Sequence, residues 1–147
     1  MTTTPPPLSK SPLRIAVVDD HSIIRAVFRS IAEDAPELDL AWSASNLTEA
    51  RGCFAKDVPD FLIVDVSMPD GNGYDLTTEF LKQAPNLPVL IVSSHEEKSY
   101  AQHALKCGAK GYVVKNASPA EILEAIYAVQ AGRYYFKPAI PLPGTHE

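Results

Sequence analysis

A chain of 147 residues holds about one domain with a single good core. Its 46% hydrophobic and 21% charged residues are ordinary for a soluble globular protein, and a formal charge of −5 argues against a dedicated nucleic-acid binder, which carries a basic face. No stretch approaches the roughly 20 apolar residues that span a bilayer, and Thr2 to Pro7 has neither the basic nor the apolar segment of a signal peptide, so a cytoplasmic protein with no membrane partner is expected.

Residues 1–12 are rich in Thr, Pro and Ser and read as a disordered lead-in. Arg14 to Val18 is the first predicted strand, ending on Asp19-Asp20. A helix follows from Ser22 to Asp34, with Ile23, Ile24, Val27, Phe28 and Ile31 on one stripe. Leu38 to Ala44 alternates like an edge strand. Asn46 and Glu49 suggest a capping box for a helix from Leu47 to Lys56. Phe61 to Val64 is an unbroken apolar run, as in a strand buried on both faces, and it leads straight into Asp65. Asp70-Gly71-Asn72-Gly73 is a turn, and Tyr74 to Ala84 a helix. A fourth strand, Val89 to Val92, ends at Ser93-Ser94. Lys98 to Cys107 is a helix stopped by Gly108. Gly111 to Val114 is a fifth strand ending at Lys115. Ser118-Pro119-Ala120-Glu121 starts a last helix, which stops at Gly132. Strict alternation of strands and helices implies an α/β fold with a parallel sheet, helices on both faces and right-handed crossovers. Residues 133–147 contain Pro138, Pro141 and Pro143 and read as a linker-like tail.

Ligands of open parallel sheets collect at the carboxyl ends of the strands, where strand order reverses. In strand order 2-1-3-4-5, Asp19-Asp20, Asp65, Ser93 and Lys115 converge there. Three carboxylates in a partly dehydrated cleft repel one another. A divalent cation relieves this, and magnesium suits oxygen ligands shared with a phosphoryl group. A lysine and a serine can meet phosphoryl oxygens, and an aspartate can attack phosphorus. Cys53 and Cys107 lack metal-ligand spacing and read as reduced and structural. His21, His95 and His103 lie on separate segments and read as surface or capping residues.

At these residues the chain resembles the receiver domain of bacterial two-component response regulators. The matching pieces are Val17-Val18-Asp19-Asp20-His21, Val64-Asp65-Val66-Ser67-Met68-Pro69, Ser93, and Lys110-Gly111-Tyr112-Val113-Val114-Lys115, in order over residues 13–132. The Asp-Asp-His start, Ser93-Ser94-His95-Glu96 and the Gly-Tyr-x-x-Lys ending look most like the NarL/FixJ branch. The resemblance implies a flavodoxin-like (βα)5 receiver fold. It implies Asp65 as phosphoacceptor from a histidine kinase or a histidine phosphotransfer protein. Magnesium would bind to Asp20, Asp65 and the Ser67 backbone carbonyl, with Asp19 acting largely through water. Lys115 would pair with Asp65 and later with the phosphoryl group. Ser93 would move to the phosphoryl group, and Tyr112 would change position with it. A Lys115–Asp65 pair this close to solvent would be worth about 1 kcal/mol or less.

The face built from Lys98–Cys107, Gly111–Val114 and Ser118–Ala131 is then expected to bind a second receiver or another protein after phosphorylation. The chain alone is not expected to bind DNA: the NarL/FixJ branch usually carries a helix-turn-helix domain after its receiver, and about 15 residues follow the last helix here. Two other readings compete. A receiver fold kept only as a constitutive partner surface would be expected to lose Asp20, Asp65 or Lys115, and all are present. A phosphatase with an aspartyl nucleophile would place an aspartate two residues later as general acid, and Ser67 stands there.

Overall fold

The computed structural model describes Leu8 and residues 10–143. Most of the expected disordered lead-in, residues 1–7 and 9, lies outside the described residues, as do residues 144–147 of the tail. Of the lead-in, Leu8 packs against the core and the Lys10 ammonium sits 3.1 Å from Asp60.

Strands β1 (Leu13–Val18), β2 (Leu38–Ala44), β3 (Phe61–Val64), β4 (Val89–Ser93) and β5 (Gly111–Val114) alternate with helices α1 (Ser22–Asp34), α2 (Leu47–Lys56), α3 (Gly73–Gln83), α4 (Lys98–Lys106) and α5 (Pro119–Gln130). All pairings in this sheet are parallel, and its order runs β2-β1-β3-β4-β5, as in flavodoxin-like folds. The order reverses between β1 and β3. The sheet has a sixth member that the sequence did not suggest: β6 (Tyr135–Phe136) extends it beyond β5. The segment read as linker-like therefore enters the sheet, and Phe136 and Ile140 are buried in the core.

The side-chain period of two divides each central strand between two apolar layers. Ile15, Val17, Phe61, Ile63, Leu90 and Val92 face α1 and α5, packing with Phe28, Ile122 and Ile126. Ala16, Val18, Leu62, Val64 and Ile91 face α2, α3 and α4, with Phe54, Leu76, Phe80 and Ala104. Each large apolar side chain buried here contributes roughly 1.5–3 kcal/mol against its exposed state, so the sheet ends are held by a core on both sides.

Local signals place the helix starts. Ser118 and Glu121 form a full capping box. Asn46 accepts from the Glu49 amide, but the Glu49 carboxylate accepts from the Ser45 amide at 2.6 Å, one residue earlier than a box requires. Asn72 caps α3. Between β3 and α3, Ser67–Met68 and Gly71–Asn72 form a two-residue antiparallel ribbon around the expected turn. Gly108 adopts φ +105°, the left-handed conformation that ends α4. Among the described residues, no helix is long and apolar enough to cross a membrane.

Candidate functional site

Backbone hydrogen bonds continue the sheet one step past its strand ends and fix the polar residues there. The Asp19 amide donates to the Ala44 carbonyl at 3.0 Å, the Asp65 amide to Val18 at 2.9 Å, and the Lys115 amide to Ser93 at 2.8 Å. The site is thus built on the sheet itself. Arg25, on α1, donates to the Asp19 carbonyl at 2.7 Å and ties that helix to the end of β1. Gly73 begins α3 directly against Asp65: a Cβ there would stand 2.0 Å from the Asp65 carbonyl oxygen.

Asp19 is 2% exposed and Asp65 4% exposed, while Asp20 faces solvent. The Lys115 ammonium lies between the buried pair, 3.0 Å from Asp65 Oδ2 and 3.1 Å from Asp19 Oδ2. Loss of water pushes the Asp65 carboxyl above its ordinary range, and the like charge of Asp19 adds to the effect; Lys115 and the Ser67 backbone N–H pull the other way. Asp19, Asp20, His21 and Asp65 each offer a ligand atom within 4.8 Å of the others. Three clustered carboxylates are hard oxygen donors with excess negative charge, and this donor set fits magnesium.

Ser93 is fully buried, and its hydroxyl accepts from the His95 amide at 3.1 Å. Tyr112 is fully buried too, and its phenol donates to the His95 carbonyl at 2.7 Å. It lies beside the fourth strand, paired in register with Ile91.

One further side chain touches the carboxylate cluster. His21 precedes α1 as its cap residue but makes no side-chain cap bond. Its Nδ1 sits 2.9 Å from Asp19 Oδ1, 3.1 Å from Asp20 Oδ1 and 2.9 Å from the Lys115 ammonium. The surface-or-capping reading of His21 stands, since it occupies the cap position of α1 with its side chain 59% exposed, and its ring also meets the carboxylate cluster. Its position next to Asp19-Asp20 was the available signal. His95 and His103 instead stack on Tyr100 and Tyr74, with ring centroids 3.9 and 4.0 Å apart. Both cysteines are free, and burial pushes the Cys107 thiol up to about 11, so it stays protonated.

Residues 15–127 match the response regulator receiver domain family. The chain belongs to this family. Curated relatives include the DNA-binding transcriptional activator DevR/DosR of Mycobacterium tuberculosis, 35% identical over 82% of this chain and 56% of that protein. Another is the oxygen regulatory protein NreC of Staphylococcus carnosus, 32% identical over 86% of this chain and 58% of that protein. The chain spans little more than half the length of these relatives. Among solved structures, a LuxR-family two-component response regulator from Aurantimonas superposes with TM-score 0.80 at 32% identity, covering 86% of this chain and 90% of that one. The receiver domain of a NarL protein from Mycobacterium tuberculosis shares the fold, with TM-score 0.77 at 24% identity, covering 84% and 100%. Receiver domains of this family act in two-component signalling, carry the flavodoxin-like fold, take a phosphoryl group on an aspartate and bind magnesium in an acidic pocket.

Proposed function

We propose that Asp65 is the phosphoacceptor of a two-component switch, served by a histidine kinase or a histidine phosphotransfer protein in the cytoplasm. The observation that carries this reading is the buried Asp65 carboxylate at the end of β3, held 3.0 Å from Lys115 with Asp19 on the lysine's other side. An Asp65 oxygen attacks the phosphorus of the donor, the new O–P bond forms as the donor's P–N bond breaks, and the electron pair leaves on the donor's nitrogen. Lys115 already faces Asp65 and meets the incoming phosphoryl oxygens with its positive charge. Ser93 supplies a hydroxyl donor once it turns from the His95 amide.

Asp20, Asp65 and the Ser67 carbonyl would hold magnesium, with Asp19 acting through water. The ion supplies further positive charge against the phosphoryl oxygens. Later hydrolysis by water returns the free carboxylate. Ser67 offers no carboxyl to act as general acid there, so the adduct outlasts that of an aspartyl phosphatase. The protein assists only its own phosphorylation and dephosphorylation and acts on no separate substrate.

The donor's approach has a physical basis. Ile23 is 76% exposed and lines, with Asp20, His21, Ile24, Ser94 and Lys115, a cleft of about 530 Å³ beside the acceptor. The cleft is open to solvent beside Lys115, so a donor protein can bring its phosphoryl group to the acceptor from this side. The receiving unit is residues 13–132, together with the segment through Ile140 that joins its core. Its output is a partner protein or second receiver at the face formed by α4, β5 and α5, now including β6.

Incubation with a small acyl phosphate and magnesium, followed by intact mass, tests the reading. One phosphoryl adduct is expected, absent in Asp65→Asn and slow to form in Asp20→Ala. An adduct that survives Asp65→Asn overturns it.

A further inference from the structure

Without β6, strand β5 would be an open sheet edge, which presents unpaired N–H and C=O groups to any passing strand. Residues 134–142 fill that position. The Tyr135 amide donates to the Lys110 carbonyl at 3.0 Å, and the Lys137 amide to the Tyr112 carbonyl at 2.9 Å. The seat is closely shaped: a Cβ at Gly111 would meet the Tyr135 carbonyl oxygen at 3.3 Å. Three contacts hold the rim, namely Tyr135 Oη to Glu124 at 3.0 Å, Lys137 to Glu121 at 3.5 Å, and Lys110 over the Tyr134 ring at 5.4 Å.

The apolar anchors decide what the segment does. Phe136 pairs in register with Tyr112, and both belong to the apolar layer that includes Ala101 and Ala104 of α4; Ile140 joins the same layer. In parallel strands, register partners lie on the same face of the sheet. Phe136 therefore sits one strand outward of Tyr112, between it and the sheet edge. Tyr112 in turn is tied to the His95 carbonyl, and the His95 amide to the Ser93 hydroxyl. A continuous set of contacts thus runs from the site to the segment.

We propose that the β5 edge beside α4 is a strand-accepting surface, that its occupant is the chain's own segment 134–142, and that seating of Phe136 and Ile140 locks Tyr112 inward and strengthens phosphoryl binding at Asp65. This rests on Asp65 being the phosphoacceptor. Tyr112 is already buried while Ser93 accepts from the His95 amide. Turning of Ser93 to the phosphoryl group would leave the buried ring more room beside β4, so phosphoryl binding favours the inward ring over any outward one. A segment that prefers buried Tyr112 prefers the phosphorylated state, and linkage makes the preference mutual. The segment is short and peripheral, its buried anchors being Phe136 and Ile140 and its rim holding one exposed ion pair, so it can leave the edge while the five-stranded core stays folded.

Hydrogen–deuterium exchange of the whole chain, with and without magnesium and beryllium fluoride, tests this, with the adduct followed by fluorine NMR in the same samples. The Tyr135 and Lys137 amides are expected to exchange at least about fivefold more slowly in the adduct, and Phe136→Ala/Ile140→Ala to bind beryllium fluoride at least about fivefold more weakly while circular dichroism stays unchanged. If the adduct forms and those amides exchange equally or faster, the segment is uncoupled and the proposal falls, while the phosphoacceptor reading stands. Equal binding by a folded double variant also overturns it. Failure of the parent chain to form an adduct overturns both.

Discussion

Burial withdraws water from the Asp65 carboxylate and Asp19 adds a like charge, so the folded protein binds this proton more tightly than the unfolded chain does. A carboxyl raised in the folded state lowers stability as pH rises from its unfolded toward its folded value, and below the unfolded value the effect is gone. In magnesium-free buffer, Asp65→Asn is therefore expected to melt above the parent at pH 7, by about 2–4 °C per kcal/mol of repulsion relieved. The gap should close as pH falls toward the ordinary Asp range. Differential scanning across that range checks it, and a parent that melts above the variant at pH 7 refutes it. Lys115 belongs to the same balance. The sequence suggested a pair near solvent worth about 1 kcal/mol or less. In the fold, however, the Lys115 side chain is 14% exposed and its two carboxylate partners nearly buried. Removing one partner of a buried pair leaves an uncompensated charge, at a cost of about 3–5 kcal/mol. Lys115→Ala should lose a large part of that in urea titrations, and Lys115→Ala/Asp65→Asn should recover most of it. A double variant whose stability is simply the sum of the two single effects would mean that the two residues act independently.

At the scale of the element, the start of α3 sets where Asp65 sits. The Asn72 cap and Gly73 bring the helix against the Asp65 backbone, and Gly73→Ala would force a Cβ to 2.0 Å from its carbonyl oxygen. Backbone cannot yield as a flexible side chain does. The variant should lose at least about 2 kcal/mol and phosphorylate slowly, since the ribbon and Asp65 must shift together. Chemical denaturation with the mass assay checks both, and an unchanged rate would show that α3 does not position the nucleophile. The sequence revealed the five main strands because each is an apolar run closed by a polar residue or a turn. It revealed the convergence of Asp19, Asp65 and Lys115 because strand order fixes which ends are neighbours. Strand β6 was illegible for a physical reason: two residues have no period, and Pro138, Pro141 and Pro143 around them read as breakers. The demand for glycine at position 73 was hidden because it comes from a close approach in space. The contact of His21 with the cluster was hidden because its ring turns from the helix start to the carboxylates, a choice made only once Asp19, Asp20 and Lys115 are assembled.

For the whole molecule, charge and surface decide the partners. A net charge of −5 repels phosphate overall, and after α5 the described residues add only β6 and its extension. Phosphate contacts supply most non-specific affinity for DNA, so these 147 residues should show no retention on duplex DNA even at low salt. Tight, salt-sensitive binding would reverse that. Protein partners are a different matter. With β6 in place, the β5 edge cannot pair with a second copy strand to strand, so self-association has to use the outer surfaces of α4, β6 and α5. Such a surface carries exposed polar side chains and the Lys137–Glu121 pair, which favours a modest, salt-dependent dimer over a permanent one. Phosphorylation shifts this equilibrium only as far as the dimer prefers the phosphorylated state. Sedimentation should then show a monomer alone, with a dimer populated by beryllium fluoride and weakened by salt. Glu121→Lys with Lys137 left intact places two like charges on that surface and should weaken the dimer; because Glu121 also caps α5 and holds the β6 rim, adduct formation is expected to weaken with it. A dimer indifferent to both the adduct and the substitution would place the contact elsewhere on the molecule.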